Sequence, residues 1–140
     1  MLKGKRKLKR KNKFIFDVDG TLTPSRQAID KRFAVWFRLF CQSNDVYLVT
    51  GSDRPKTLEQ IGETIYNSCN RVYNCNGNDV WEKDINVRTN EWVLPEDAHE
   101  WLSIQLTESD FNLRTGLHFE HRPGMVNFSV VGRNATKEQR

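Results

Sequence analysis

Hydrophobic positions follow three rhythms along the chain: a buried-strand run, a helical stripe, and finally a strict alternation. Phe14, Ile15, Phe16 and Val18 form a short aromatic and β-branched run that Gly20 stops, the pattern of a strand buried on both faces. Ile29, Phe33, Trp36, Phe37 and Phe40 recur at i, i+4, i+7, i+8 and i+11 after Pro24-Ser25-Arg26-Gln27, a helical stripe that packs on a sheet. Residues 44–50 read as a second buried strand, and a helix begins near Pro55 with Leu58, Ile61 and Ile65 on one face. Strand, helix, strand in this order implies a parallel pair joined by a right-handed crossover. Residues 71–75 predict a third short strand, turned by Asn76-Gly77-Asn78.

After that turn the rhythm changes. Residues 80–84 and 85–87 read as paired strands, and a helix follows over about 95–106 with Ala98, Trp101, Leu102 and Leu106 facing inward. Leu117, Phe119, His121 and then Val126, Phe128, Val130 alternate around Arg122-Pro123-Gly124-Met125, which predicts an antiparallel pair. Alternating strands and helices followed by antiparallel strands predict an α/β core with a second module behind it. The expected division is an arm over residues 1–13, a core over 14–78 and the second module over 79–140.

Composition adds charge asymmetry to this picture. Eight of the 22 basic residues (Lys3, Lys5, Arg6, Lys7, Lys9, Arg10, Lys11 and Lys13) precede Phe14 with no acid among them, and the remainder carries 14 bases against 18 acids, a net of −4. Such a block reads as a solvated, disordered arm, or as a weak, salt-sensitive contact with a polyanion. No aromatic side chain is interleaved with its lysines to stack on bases. Cys41, Cys69 and Cys75 are an odd number without paired spacing, as expected for reduced thiols in a cytoplasmic protein. Neither a membrane span nor a signal peptide is expected.

The candidate chemistry lies where the first strand ends. Asp17 and Asp19 are spaced i and i+2 and so project from one side of an extended strand, at the sheet edge where open α/β folds bind ligands. Two neighbouring carboxylates repel unless a cation sits between them or one is protonated. With magnesium bound, Asp17 can attack a phosphoryl phosphorus while Asp19 serves as acid and then base; the Thr21 hydroxyl is placed to position Asp19. A calcium loop starting at Asp17 would need glycine at its sixth position and glutamate at its twelfth, where Leu22 and Ala28 stand. Thr50-Gly51-Ser52-Asp53 closes the second strand, and hydroxyls and N–H groups at a strand-to-helix turn make a phosphate seat, with Thr50 or Ser52 as the holding hydroxyl. Arg26 follows the aspartate loop within reach of an anionic ligand. Arg122, Arg133 and Arg140 surround one hairpin, and guanidinium groups suit bidentate phosphate recognition. His99, His118 and His121 have no acid or thiol partner at ligand spacing, which argues against zinc.

The segment Asp17-Val18-Asp19-Gly20-Thr21-Leu22-Thr23 resembles the aspartate-nucleophile motif of the haloacid dehalogenase superfamily. Residues 16–27, Val-Thr-Gly-Ser-Asp-Arg-Pro-Lys-Thr-Leu-Glu-Gln-Ile-Gly at 49–62, Asn-Gly at 76–77 and residues 119–140 narrow the resemblance to eukaryotic-type phosphomannomutases. It implies a partial Rossmann-like catalytic core over 14–78 and part of an α+β cap over 79–140. It implies Asp17 as nucleophile and magnesium ligand, and Asp19 as general acid/base that also gives its carbonyl to the metal. Arg26 matches the core substrate arginine, and Arg122, Arg133 and Arg140 the cap arginines on the distal phosphate. The implied reaction interconverts hexose 6-phosphate and hexose 1-phosphate, mannose phosphate favoured, with a hexose 1,6-bisphosphate activator and a place in GDP-mannose supply.

The family pattern continues beyond the last arginine, with more cap, a lysine and further acidic metal ligands. The resemblance therefore implies a bare edge on the first strand, and a C-terminal half or a homodimer through the cap as partner. Two other functions compete with the mutase: a sugar-phosphate phosphatase of the same superfamily, and a non-catalytic binder of phosphosugars or polyanions.

Overall fold

The computed structural model describes residues 12–140, so all but the last two positions of the expected basic arm lie outside the described residues. Strands β1 (Lys13–Phe16), β2 (Asp45–Val49) and β3 (Arg71–Asn74) are parallel neighbours in that order, with α1 (Lys31–Ser43) and α2 (Arg54–Ser68) as the intervening crossovers. β4 (Asp79–Glu82) and β5 (Ile85–Thr89) then extend the same sheet antiparallel, giving the order β1-β2-β3-β4-β5. Helix α3 (Glu96–Glu108) leads to a separate two-stranded sheet, β6 (Phe119–Arg122) and β7 (Met125–Phe128). Parallel α/β units followed by antiparallel strands are the order that the hydrophobic rhythm predicts.

Both crossovers step in the same direction across the sheet, and connections of one hand then place both helices on one face. The core lies between: Val46, Leu48, Val72, Phe37, Ile61, Ile65 and Tyr66 are buried in one cluster, with Phe16 and Phe40 packed against it. Edge-to-face contacts bind α1 to β1, with ring centroids 4.9 Å apart for Phe14–Phe40 and 5.3 Å for Phe16–Phe37. Among the described residues nothing covers the other face of the three parallel strands. Ile15 pairs with Tyr47, Tyr47 with Arg71 and Val49 with Tyr73 along it, and Ile15 is 71% exposed. This corrects the expectation of a first strand buried on both faces, because its aromatic run packs on one side only. β1 also forms one edge of the sheet, as the resemblance implies.

Local chemistry sets the helix starts. The Asp30 side chain accepts the N–H groups of Arg32 and Phe33, so α1 begins there, and Pro24–Gln27 instead closes a turn through a 3.0 Å bond from the Gln27 N–H to the Pro24 carbonyl. Asp53 caps α2 by accepting from the Lys56 N–H at 3.0 Å. Within α1, Phe37 is fully buried and Trp36 is 55% exposed. The helical stripe therefore reaches the core along only part of its expected width.

The expected boundary at residues 78/79 falls within a continuous sheet, since Asn74, Tyr73 and Val72 pair with Asp79, Val80 and Trp81. Buried Asp79 is satisfied by the indole N–H of Trp81, the Asn86 amide and the Thr89 hydroxyl. Arg54 lies 4.1 Å from the centre of a Trp81 ring and pairs with Asp84 at 3.2 Å, fastening the β4–β5 hairpin to α2. Helix α3 has no buried residue. Ala98, Leu102 and Leu106 are half-buried as the inward face requires, but Trp101 is exposed, a correction to the expected stripe. His99 stacks on Phe119 at 4.5 Å and joins α3 to the β6–β7 hairpin.

The one-sided core makes a direct prediction. Phe37→Ala should lower stability by about 3–5 kcal/mol, and Trp36→Ala by less than about 1 kcal/mol, in urea denaturation of the two variants. Equal losses would contradict this packing.

Candidate functional site: an aspartate loop facing an arginine hairpin

The loop after β1 folds back on itself. The Val18 carbonyl accepts the N–H groups of Thr21, Leu22 and Thr23, and the Gly20 N–H reaches the Thr23 carbonyl at 2.8 Å. This turn buries Val18 and Leu22 and carries Asp17 and Asp19 at the C-terminal end of the sheet. Asp17 is exposed. The Asp19 carboxylate is held from three sides: Oδ1 accepts from the Arg26 N–H and from Gln60 Nε2, both at 2.7 Å, and Oδ2 from the Ser52 hydroxyl at 3.5 Å. Arg26 adopts φ 59°, and its N–H points at the carboxylate. The expected positioning role of Thr21 falls instead to Gln60, Ser52 and the Arg26 backbone.

Gln60 was not legible as a site residue, although a polar side chain beside Ile61 on the inward face of an amphipathic helix is a signal for buried polarity. It is 2% exposed. The loop after β2 separates the two hydroxyl candidates. Thr50 is buried, and its Oγ1 accepts the Ser52 N–H at 3.1 Å, whereas the Ser52 hydroxyl faces Asp19. Of the pair, Ser52 is the one that lines the cavity described below.

Opposite stands the β6–β7 hairpin. Arg122 pairs with Met125 in the ladder, leaving Pro123-Gly124 as the turn, with Gly124 at φ 62°, a conformation glycine adopts freely. A Cβ on Gly124 would lie 2.8 Å from both Asn78 and Asn90, so the tip rests directly on the β3–β4 turn and on the residue after β5. Arg122 donates to the Gly51 carbonyl at 2.6 Å and to Glu120 Oε1 at 3.0 Å. Arg133 reaches Glu120 Oε2 at 2.8 Å, and the Asn127 amide donates to the same oxygen at 3.3 Å. Strand periodicity sets Glu120 beside Arg122 on one face, with Asn127 across the ladder from Glu120; that spacing was the available signal for both.

Between loop and hairpin lies a cavity of about 730 Å³ whose wall includes Asp19, Arg26, Ser52, Lys56, Arg122 and Arg133. Most of the expected site residues thus meet in one place. Asp17, Thr50 and Arg140 do not line it: Asp17 is exposed on the loop just before Asp19, Thr50 is buried, and the Arg140 guanidinium donates to the carbonyls of Ala135 and Arg133 and lines a different cavity with Phe111 and Val131. The substrate contact implied for Arg140 is not among those that this cavity brings together. Among the described residues no three acidic, histidine or cysteine side chains gather as a metal-holding group, and no described helix is long and apolar enough to cross a membrane. All three cysteines are free and buried.

A mixed α/β sheet that carries an aspartate loop at its carboxyl edge, facing an arginine hairpin, sets carboxylates and guanidinium groups where open α/β folds bind ligands. The sequence model of the eukaryotic phosphomannomutase family matches residues 36–140, and the chain belongs to that family. Phosphomannomutases of Saccharomyces cerevisiae and Galdieria sulphuraria are 31% and 33% identical to it over 132 residues, which is 90% of this chain and 52% and 53% of theirs. The chain spans about half the length of the curated relatives it matches. Among solved structures, an N-terminally truncated, IMP-bound IMP-nucleotidase of Plasmodium falciparum superposes with a TM-score of 0.51 at 15% identity, over 82% of this chain and 39% of that one; this likeness is one of fold. A haloacid dehalogenase-like hydrolase of Bacteroides thetaiotaomicron superposes at 0.49 with 20% identity over 70% of this chain and 39% of that one.

Glu120 links the two hairpin arginines and titrates accordingly. Partial burial works against its ionisation, but the Arg122 hydrogen bond and charge, the Asn127 amide and the Arg133 charge outweigh burial and leave its pKa below the ordinary 4.5. The stabilisation is complete above that ordinary value and is lost as pH falls through the lower folded value. Glu120→Gln should therefore be less stable than the native chain at about pH 6, and the gap should close by about pH 3. Urea midpoints across that range check it; a gap independent of pH would contradict it.

Proposed function

We propose that this chain provides the nucleophile loop and the phosphate-gripping hairpin of a phosphomannomutase-like phosphotransferase, which interconverts hexose 6-phosphate and hexose 1-phosphate with mannose phosphate favoured. One observation carries the reading: a single cavity has Asp19, Arg26 and Ser52 on one wall and Arg122 and Arg133 on the other. A hexose phosphate placed across it has one end at the Asp19 carboxylate, beside the loop that carries Asp17, and its phosphate between guanidinium groups. Arginines bind that phosphate as a charge, irrespective of which carbon bears it, so either end of the sugar can be presented to the aspartates.

In this mechanism the Asp17 carboxylate attacks a phosphorus of a hexose 1,6-bisphosphate. The new Asp17 O–P bond forms as the sugar O–P bond breaks, and Asp19 gives its proton to the departing sugar oxygen. For return transfer Asp19 removes the proton of a sugar hydroxyl, whose oxygen then takes the phosphoryl group from Asp17. The fixed contacts from Gln60, Ser52 and the Arg26 N–H keep the Asp19 carboxylate in one place for both proton transfers. The donors near the loop are hard oxygens, and magnesium accepts one or two carboxylates with the remaining positions filled by water. They fit that ion, with the exposed Asp17 carboxylate and the Asp19 carbonyl as the groups that would hold it. When bound, it supplies positive charge that offsets the approach of anion to anion.

The same reading extends to partners and place. The open face of the parallel strands, where Lys13, Ile15, Tyr47, Val49, Arg71 and Tyr73 line a groove of about 790 Å³, suits the remainder of the family fold, supplied as a C-terminal half. A homodimer through the cap is the other partner. A cytoplasmic setting with a role in GDP-mannose supply fits the substrate, and residues 1–13 add a weak polyanion contact.

Calorimetric titration with mannose 6-phosphate tests this. Arg133→Ala should weaken binding about 10- to 100-fold, the loss of a charge-assisted contact, whereas Asp17→Asn should change it less than about twofold. Labelled hexose 1,6-bisphosphate should leave an acid-stable, base-labile phosphoryl group on the native chain and none on Asp17→Asn. Unchanged binding in Arg133→Ala would contradict the site, and binding without labelling would identify a phosphosugar binder.

A further inference from the structure

The turn between β3 and β4 runs through backbone that L-residues rarely adopt. Cys75, Asn76 and Gly77 have φ of 49°, 56° and 87°, a left-handed run in which only glycine is free of strain and asparagine is the best-tolerated substitute. The turn is held from outside. The Cys75 N–H donates to the Ser52 carbonyl and the Asn76 N–H to the Thr50 carbonyl, both at 2.9 Å, and the Asn78 amide donates to the Cys75 carbonyl at 2.8 Å. The loop bearing Ser52 and the strained turn therefore fix each other. Strained backbone kept in place this way points to a use for the side chain it aims.

That side chain belongs to Asn76, which is exposed and lines the cavity between the aspartate loop and the hairpin. Its Oδ1 lies 3.4 Å from where a Cβ on Gly51 would stand. Its Nδ2 lies 3.9 Å from the Met125 sulfur, a weak acceptor. Among the described residues the amide has no other hydrogen-bond partner, so a donor and an acceptor remain available side by side. A phosphate group asks only for donors, and Ser52, Arg26, Arg122 and Arg133 already supply them in the same cavity. A hydroxyl asks for both kinds of group at once.

We propose that Asn76 is a specificity-determining residue that reads the hydroxyl groups of the carbohydrate portion of the ligand, separately from its phosphate. This inference rests on the reading of the cavity as a hexose phosphate site. It divides recognition between charged groups that take the phosphate and a neutral amide that takes the sugar.

Calorimetric titration of the native chain and of Asn76→Gly, with mannose 6-phosphate and with inorganic phosphate, tests it. Glycine suits the left-handed backbone, so the variant should fold with undiminished stability in urea. Asn76→Gly should bind mannose 6-phosphate about five- to tenfold more weakly, the size of a neutral hydrogen-bond loss, and inorganic phosphate within about twofold of the native chain. Unchanged affinity for mannose 6-phosphate, or an equal loss for both ligands, would overturn the role of Asn76. A native chain that bound neither ligand would overturn the reading of the cavity and this inference with it; one that bound both equally would overturn this inference alone.

Discussion

The Gly51 carbonyl accepts a 2.6 Å hydrogen bond from Arg122, a residue 71 positions further along the chain, and the cavity exists because the hairpin is held there. Close approach at the turn makes the contact feasible: Gly124 sits against Asn78 and Asn90 without room for a Cβ. Two short β-elements with little apolar area between them are thereby joined by shape at the tip and by a charge-assisted bond at the base. A hairpin of two four-residue strands would be marginal alone. Its stability here comes from β6–β7 stacking, with Phe119 and Phe128 centroids 5.0 Å apart, and from the Glu120 cluster beneath.

Charge is distributed so that one carboxylate in each half of the site is held before any ligand arrives. On the hairpin, Glu120 holds both Arg122 and Arg133; on the core, Asp19 is held by Ser52, Gln60 and the Arg26 backbone. The guanidinium groups are oriented by this pairing and retain further donors, since five N–H groups per arginine exceed what one carboxylate accepts. Preorganised donors bind an anion without first paying to be arranged. The neutral amide of Asn76 lines the same cavity.

Much of this was legible in the sequence, for identifiable reasons. Parallel strands bury near-continuous apolar runs, so β1, β2 and β3 stood out, and period-2 alternation around Pro123-Gly124 located the β6–β7 hairpin, with strand ends shifted by about one or two residues. The aspartate loop was legible because two acids ending an apolar strand have few structural uses. Less accessible were properties that depend on what packs across space. The exposure of Ile15 and Trp101, and the continuation of the sheet through β4 and β5, follow from which faces find a partner, which periodicity alone does not encode. Gln60 and Glu120 escaped notice because their roles come from residues 41 positions away and across a hairpin respectively. Arg140 was grouped with Arg122 and Arg133 because all three flank one hairpin in the sequence, and its guanidinium turns to the carbonyls of Ala135 and Arg133.

The central claim is that loop and hairpin form one binding site for a sugar phosphate. The most direct test is a crystal structure of the chain with mannose 6-phosphate. The account predicts phosphate density between Arg122 and Arg133, sugar density extending toward Asp19, and the Arg122–Gly51 contact intact. Phosphate bound away from both arginines, or a hairpin detached from the Gly51 loop, would contradict it.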